Sequence, residues 1–96
     1  FWVFKNPPYS REGGGVETLS EGMCGYSWLR AGQHRGFVEH TLDFFAAYGV
    51  EIEGMHTETG PGVWEVALRY ENALEAADRA ALFKTLFKQL CSDYGY

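Results

Sequence analysis

Positive charge is scarce in this sequence. It carries 8 Lys and Arg against 13 Asp and Glu, for a formal net charge of −5, and its basic residues nowhere run together. A protein that grips a phosphate backbone needs clustered cations, so no nucleic-acid partner is expected. Long apolar runs are missing as well. Spanning a bilayer takes about 20 consecutive apolar residues, and neither such a run nor a signal-peptide pattern occurs, so no membrane partner is expected. Cysteine is limited to Cys24 and Cys91, far apart and without a CxxC neighbour. That suits reduced thiols in a cytoplasmic protein better than a disulfide framework. No internal repeat and no second domain is visible.

What is present supports a folded chain. The 96 residues are 46% hydrophobic and 17% aromatic, enough for one small domain or part of a larger one. Phe1-Trp2-Val3-Phe4 reads as a strand buried on both faces, stopped by Pro7 and Pro8. Because it opens in mid-strand, the chain is expected to be a piece of something longer. Gly13-Gly14-Gly15 lacks the frame of a phosphate loop and reads as a plain loop. Met23 to Leu29 reads as a strand or extended segment.

Between Gly32 and Gly49 a helix is expected, with Val38, Thr41, Leu42, Phe45 and Tyr48 on one apolar face. Gly49 sits where a helix ends on a residue of positive φ. His34 and His40 have no partner at metal-ligand spacing and suit surface or capping roles. Asn72 caps the longest expected helix, which runs to about Asp93, and Glu75 would complete a capping box. The small residues in its first half are expected to let it lie close on a sheet.

The segment Glu51 to Glu65 is where chemistry concentrates. It holds Glu51, Glu53, Glu58, Glu65 and His56, and Gly60-Pro61-Gly62 marks a turn within it. Both flanks alternate apolar and polar, which reads as two strands joined by a loop. In the second strand Trp64, Val66 and Leu68 share one face and Glu65 projects from the other. Gathered acids repel one another unless a cation sits among them. If the turn brings Glu58 and Glu65 together, their oxygens suit Mg²⁺ or Mn²⁺. Zinc lacks a second His or Cys at usable spacing, and the short acids of an EF-hand are missing. Four solvated acids on edges and loops remain an equal reading of the spacing, and a paired-carboxylate hydrolase a further one.

Ile52 to Glu65, followed by Arg69-Tyr-Glu-Asn-Ala-Leu-Glu-Ala-Ala-Asp78, resembles the catalytic domain of the glutamine synthetase family. The family pattern is roughly E-x-x-H-x-E, a Gly/Pro turn, E, then R-[YF]-x-x-A-L-x-x-A-D. The opening Phe1-Trp-Val-Phe4 is similar to the strand that follows a Glu-x-Glu metal pair in that family. The resemblance implies an α+β fold, with an antiparallel β-sheet packed by helices, as part of such a catalytic domain spanning 1–96. It implies Glu58 and Glu65 as ligands of one divalent cation, Mg²⁺ or Mn²⁺, and Glu53 as a contact to ATP. It sets Tyr26 near the amine pocket. His56 falls in the family's His-His-Glu run, but Thr57 stands beside Glu58 here, so His56 is expected to support the loop rather than bind metal.

The reaction so implied is ATP-dependent ligation of glutamate and ammonia through γ-glutamyl phosphate, in a ring-shaped, dodecamer-like homo-oligomer. Alternatives are a relative that uses another amine (methylamine, ethanolamine or a polyamine) and a non-catalytic structural member. The Glu-x-Glu pair, a later histidine ligand, the substrate arginines and the last glutamate ligand would fall outside the chain. The 96 residues alone are therefore expected to be inactive.

Overall fold

A computed structural model describes residues 1–6 and 15–96. The order is α1 (Trp28–Gln33), α2 (Arg35–Ala47), β1 (Ile52–Thr57), β2 (Trp64–Leu68) and α3 (Ala73–Asp93). The class is α+β, as expected, with β1 and β2 forming a two-stranded antiparallel sheet. Their register sets His56 opposite Glu65 and Thr57 opposite Trp64, with an irregularity between Ile52 and Gly54. Among the described residues no helix is long and apolar enough to cross a membrane. The expectations for Pro7, Pro8, Gly13 and Gly14 lie outside the described residues.

The connection between the strands is tight. The Glu58 amide donates to the Val63 carbonyl at 2.8 Å and the Val63 amide to the Gly60 carbonyl at 3.2 Å. Phe1–Phe4 runs along the other side of β2: the Val3 amide donates to Gly62 O at 2.8 Å and the Trp64 amide to Phe1 O at 2.9 Å. It is extended but makes only isolated bridges, Trp2 to Val63 and Phe4 to Thr18. Nor is it buried on both faces as the sequence suggested. Val3 enters the core at 3% exposure while Trp2 is 64% exposed, because alternate residues point to opposite sides and only one side is covered.

Met23–Leu29 is not a strand. The chain turns at Tyr26, whose φ is +56°, and α1 begins at Trp28 with the Ser27 hydroxyl accepting the Arg30 amide at 3.2 Å. A hydroxyl cap offers the backbone a helical start. Met23, Trp28 and Leu29 all lie exposed, so no packing holds this stretch extended.

Helix α2 forms where the periodicity put it, and Gly49 follows it at φ +71°. Its buried edge is Phe37, Thr41 and Phe45, a rotation from the expected stripe that leaves Leu42 and Tyr48 outside. Thr41 is tolerated in the core because its hydroxyl donates to Phe37 O at 2.7 Å. Asn72 caps α3 by accepting the Glu75 amide at 3.1 Å. The Glu75 carboxylate, however, turns to Arg79 at 2.9 Å, so the capping box is half made. The first half of α3 is largely exposed and does not lie on a sheet as expected, whereas Phe83, Phe87 and Leu90 pack with Phe45, Val50, Trp64 and Leu19. The aromatic residues of α3, Phe83 and Phe87, lie at its midpoint and beyond, whereas Leu74 in its first turn stays 74% exposed, so the rings decide which half docks. Cys24 and Cys91 are free thiols.

Gly62 and Gly49 separate two costs of a side chain. Their φ angles are +72° and +71°, but a Cβ on Gly62 would lie 2.8 Å from Thr18 Cβ and 3.0 Å from Val3 O, while one on Gly49 meets nothing within 4 Å. Gly49→Ala is expected to cost about 1–2 kcal/mol for the left-handed backbone alone. Gly62→Ala should cost roughly 1–3 kcal/mol more from overpacking. Urea unfolding of the two variants measures the difference, and equal losses would contradict it.

Candidate functional site

The turn and register bring four of the five residues singled out in the sequence to one end of the sheet. Trp64 is fully buried, so its neighbour Glu65 must point outward, and it does. His56 pairs with Glu65 across the strands; its Nε2 lies 4.0 Å from Glu65 Oε1 and its Nδ1 3.2 Å from Thr57 O. The Tyr26 ring lies on the His56 ring, centroids 4.7 Å apart and tilted by 32°. Glu58 follows β1, its Oε1 accepting the Thr59 amide at 2.7 Å and the Thr59 hydroxyl at 3.1 Å.

These groups share an electrostatic field. The Thr59 amide, and then the Tyr26 phenol, hold the Glu58 carboxyl below its ordinary range. Reciprocally, Glu58 raises the Tyr26 phenol, and Glu65 adds to the effect. All of them are solvent-accessible, so water moderates these interactions.

Thr57 fixes this arrangement. It is 2% exposed. Its hydroxyl donates to Cys24 O at 3.0 Å and accepts the Ser27 amide at 3.1 Å. The Tyr26 amide donates to Thr57 O at 2.6 Å. Three bonds thus fasten the Cys24–Ser27 turn onto the end of β1 and hold Tyr26 in its unusual backbone region, which bulky residues occupy only when their surroundings enforce it. Gly25 permits the approach, since a Cβ there would lie 2.9 Å from Thr59 Oγ1 and 3.0 Å from Thr59 N. Sequence reasoning noted Thr57 only as a departure from a family pattern and missed this work, because a buried hydroxyl tied to distant backbone leaves no periodic signal.

Glu53 is not part of the cluster. It lies five residues before Glu58 on β1, roughly 16 Å of strand, and its charge acts on Arg69. Glu51 is paired with Arg69 at 2.7 Å on the surface. Beside the cluster, a cleft of about 500 Å³ opens between α1, α2 and β1, with Tyr26 and His56 in its wall.

Two outward carboxylates beside an imidazole form a donor set that suits a hard divalent cation. Among the described residues, however, no group of three or more His, Cys, Asp or Glu side chains is arranged to enclose an ion. The residues fit as part of a coordination shell.

Comparison with known proteins shows which family the chain belongs to. The model of the glutamine synthetase catalytic domain matches residues 1–96, the whole chain. The chain belongs to the glutamine synthetase family. It is 51% identical over 80 residues to type-1 glutamine synthetase 2 of Dictyostelium discoideum, a match covering 83% of this chain and 15% of that protein. It is 31% identical over 81 residues to a gamma-glutamylethanolamide synthetase of Streptomyces coelicolor, covering 84% and 18%. A glutamate–isopropylamine ligase of Pseudomonas is 30% identical over 74 residues, covering 77% and 16%. The chain thus spans under a fifth of the length of these relatives. No solved structure matches it.

If Thr57 anchors the turn, Thr57→Val removes the hydroxyl and strands the Ser27 amide and Cys24 carbonyl at nearly constant side-chain volume. The expected loss is about 1–3 kcal/mol in denaturant unfolding, together with faster hydrogen exchange at the Ser27 amide. Wild-type exchange at that amide would contradict the assignment.

Proposed function

We propose that this chain forms part of the active site of an ATP-dependent ligase that joins the γ-carboxylate of glutamate to ammonia, with Glu58 and Glu65 holding one Mg²⁺ or Mn²⁺ ion. The observation that carries this reading is the register of β1 and β2. It gathers Glu58, Glu65, His56 and Tyr26 at one exposed edge, in a chain half identical over 80 residues to a glutamine synthetase.

The chemistry explains why such an edge is useful. An oxygen of the glutamate γ-carboxylate bonds to the γ-phosphorus of ATP while the bond from that phosphorus to the β,γ-bridging oxygen breaks, giving ADP and γ-glutamyl phosphate. The amine nitrogen then attacks the acyl carbon, the carbon–oxygen bond to phosphate breaks, and the nitrogen gives up a proton. Both reactants of the first step are anions, and a divalent cation offsets their repulsion and the charge gathering on phosphoryl oxygens. Glu58 and Glu65 supply the oxygens that hold it. His56 steadies Glu65 from the adjoining strand position. The Tyr26 phenol, drawn to Glu58, lines the amine side. Glu53, at the far end of β1, serves the nucleotide. The remaining ligands come from outside these residues.

A second reading, ligation of a larger amine, is favoured by the cleft beside Tyr26 and His56, whose 500 Å³ far exceeds what ammonia fills. Relatives named for ethanolamide and isopropylamine chemistry support it.

In the intact ligase, Glu65→Ala is expected to weaken Mn²⁺ binding by about tenfold or more while the far-ultraviolet circular dichroism is kept. Titration followed by electron paramagnetic resonance reads the affinity, and an unchanged value would remove Glu65 from the site. ADP release with ammonia, methylamine, ethanolamine and putrescine as separate substrates decides between the two readings.

A further inference from the structure

The two carboxylate oxygens of Glu58 are not alike. Oε1 accepts the Thr59 amide at 2.7 Å and the Thr59 hydroxyl at 3.1 Å. A carboxylate oxygen offers about two lone-pair sites, so Thr59 fills both of those on Oε1. Oε2 accepts no hydrogen bond among the described residues. The Tyr26 phenol is drawn to the carboxylate without taking Oε1 from Thr59.

Thr59 is itself held from both sides. A Cβ on Gly25 would lie 2.9 Å from Thr59 Oγ1, 3.0 Å from Thr59 N and 3.3 Å from Glu58 C. The Cys24–Ser27 turn therefore bears directly on the two donors, and the Thr57 hydroxyl fastens that turn. On the other side Gly60 takes a φ of +131°, and its carbonyl accepts the Val63 amide at 3.2 Å. The grip on Oε1 is thus built into the end of the sheet.

We propose that Thr59 is a positioning residue for the metal ligand Glu58: by filling Oε1 it confines Glu58 to ligation through Oε2 alone, and so favours Mg²⁺ or Mn²⁺ over Ca²⁺. Ca²⁺ gathers about six to eight oxygens and accepts both from one carboxylate, whereas Mg²⁺ demands a compact octahedral shell. Mn²⁺ suits octahedral oxygen donors as well, and one oxygen from each carboxylate serves such a shell. Thr59 acts only through Glu58. The inference rests on the reading of Glu58 as a metal ligand.

The test measures metal binding by the intact ligase, with Mn²⁺ followed by electron paramagnetic resonance and Ca²⁺ as competitor. Thr59→Val keeps the shape of the side chain, removes the hydroxyl and opens one site on Oε1. The preference for Mn²⁺ over Ca²⁺ is expected to fall about tenfold, the scale on which outer partners of a ligand alter metal affinity. Because the readout is a ratio of two affinities on one protein, a reduced folded fraction does not imitate it. Thr59→Ser retains a hydroxyl and should keep the wild-type preference. Gly25→Ala, whose methyl displaces Thr59 with its hydroxyl intact, should lower the preference too. Glu58→Gln tests the underlying reading and should weaken Mn²⁺ binding outright. A wild-type preference in Thr59→Val, with Mn²⁺ binding weakened in Glu58→Gln, would overturn the proposal and leave the metal reading standing. So would a Thr59→Ser protein that behaves like Thr59→Val. Unchanged Mn²⁺ affinity in Glu58→Gln would overturn both.

Discussion

Antiparallel pairing of β1 with β2 is the constraint from which the rest of the arrangement follows. A strand pair has only two faces, and a slip of one residue would exchange them. Trp64 is too large to leave in water beside Phe45 and Leu90 and is fully buried. With Trp64 committed inward, Glu65 is committed outward, and the partner residue His56 comes with it. The positive φ at Gly62 and the close approach of Thr18 and Val3 around it fix where the chain reverses, and hence where Glu58 stands relative to Glu65. An acidic edge that could be taken for an accident of composition is in this sense a by-product of burying one indole.

The second link is local. Helix α1 contributes no buried residue, so packing does not hold the segment before it. The Thr57 hydroxyl does, by receiving and giving one hydrogen bond each to Ser27 and Cys24. Bonds of this kind contribute about 1 kcal/mol apiece, little against a whole core but enough to select one conformation of a short turn. That selection puts the Tyr26 ring on His56. The acidic edge thus has a rigid floor, the sheet, and one wall whose position depends on a single threonine.

The helices and the sheet were legible in the sequence because burial imposes a period. Val50, Ile52, Trp64, Val66 and Leu68 alternate, and Phe83, Phe87 and Leu90 recur at helical spacing. The turn before α1 was misread because Met23, Trp28 and Leu29 are apolar yet exposed, so their composition argues for burial that does not occur; only Ser27, a capping residue, told otherwise. The buried edge of α2 was misplaced for a related reason. Phe37 and Phe45 lie inside and Leu42 outside, a choice made by where the aromatic rings of α3 arrive rather than by α2 itself. Glu65 could be set apart from the other acids by strand phase, and Glu58 by the turn and by resemblance. Thr57 could not, because its partners are thirty or more residues away and are backbone atoms.

The exposure of the two glutamates bears on how such an edge works. Glu65 is 58% exposed at its side chain, and Glu58 lies within reach of solvent while keeping its charge through the Thr59 amide. Water therefore screens the charges along this edge. The repulsion grows only when something displaces that water. Under the ligase reading, bringing in substrate does so, and the demand for a cation rises in step with closure over the reacting groups. Carboxylates buried from the outset would instead have shifted towards their protonated forms and lost affinity for a cation. An open acidic edge, rigid on its sheet side and walled by Tyr26 and His56, leaves both carboxylates in contact with water.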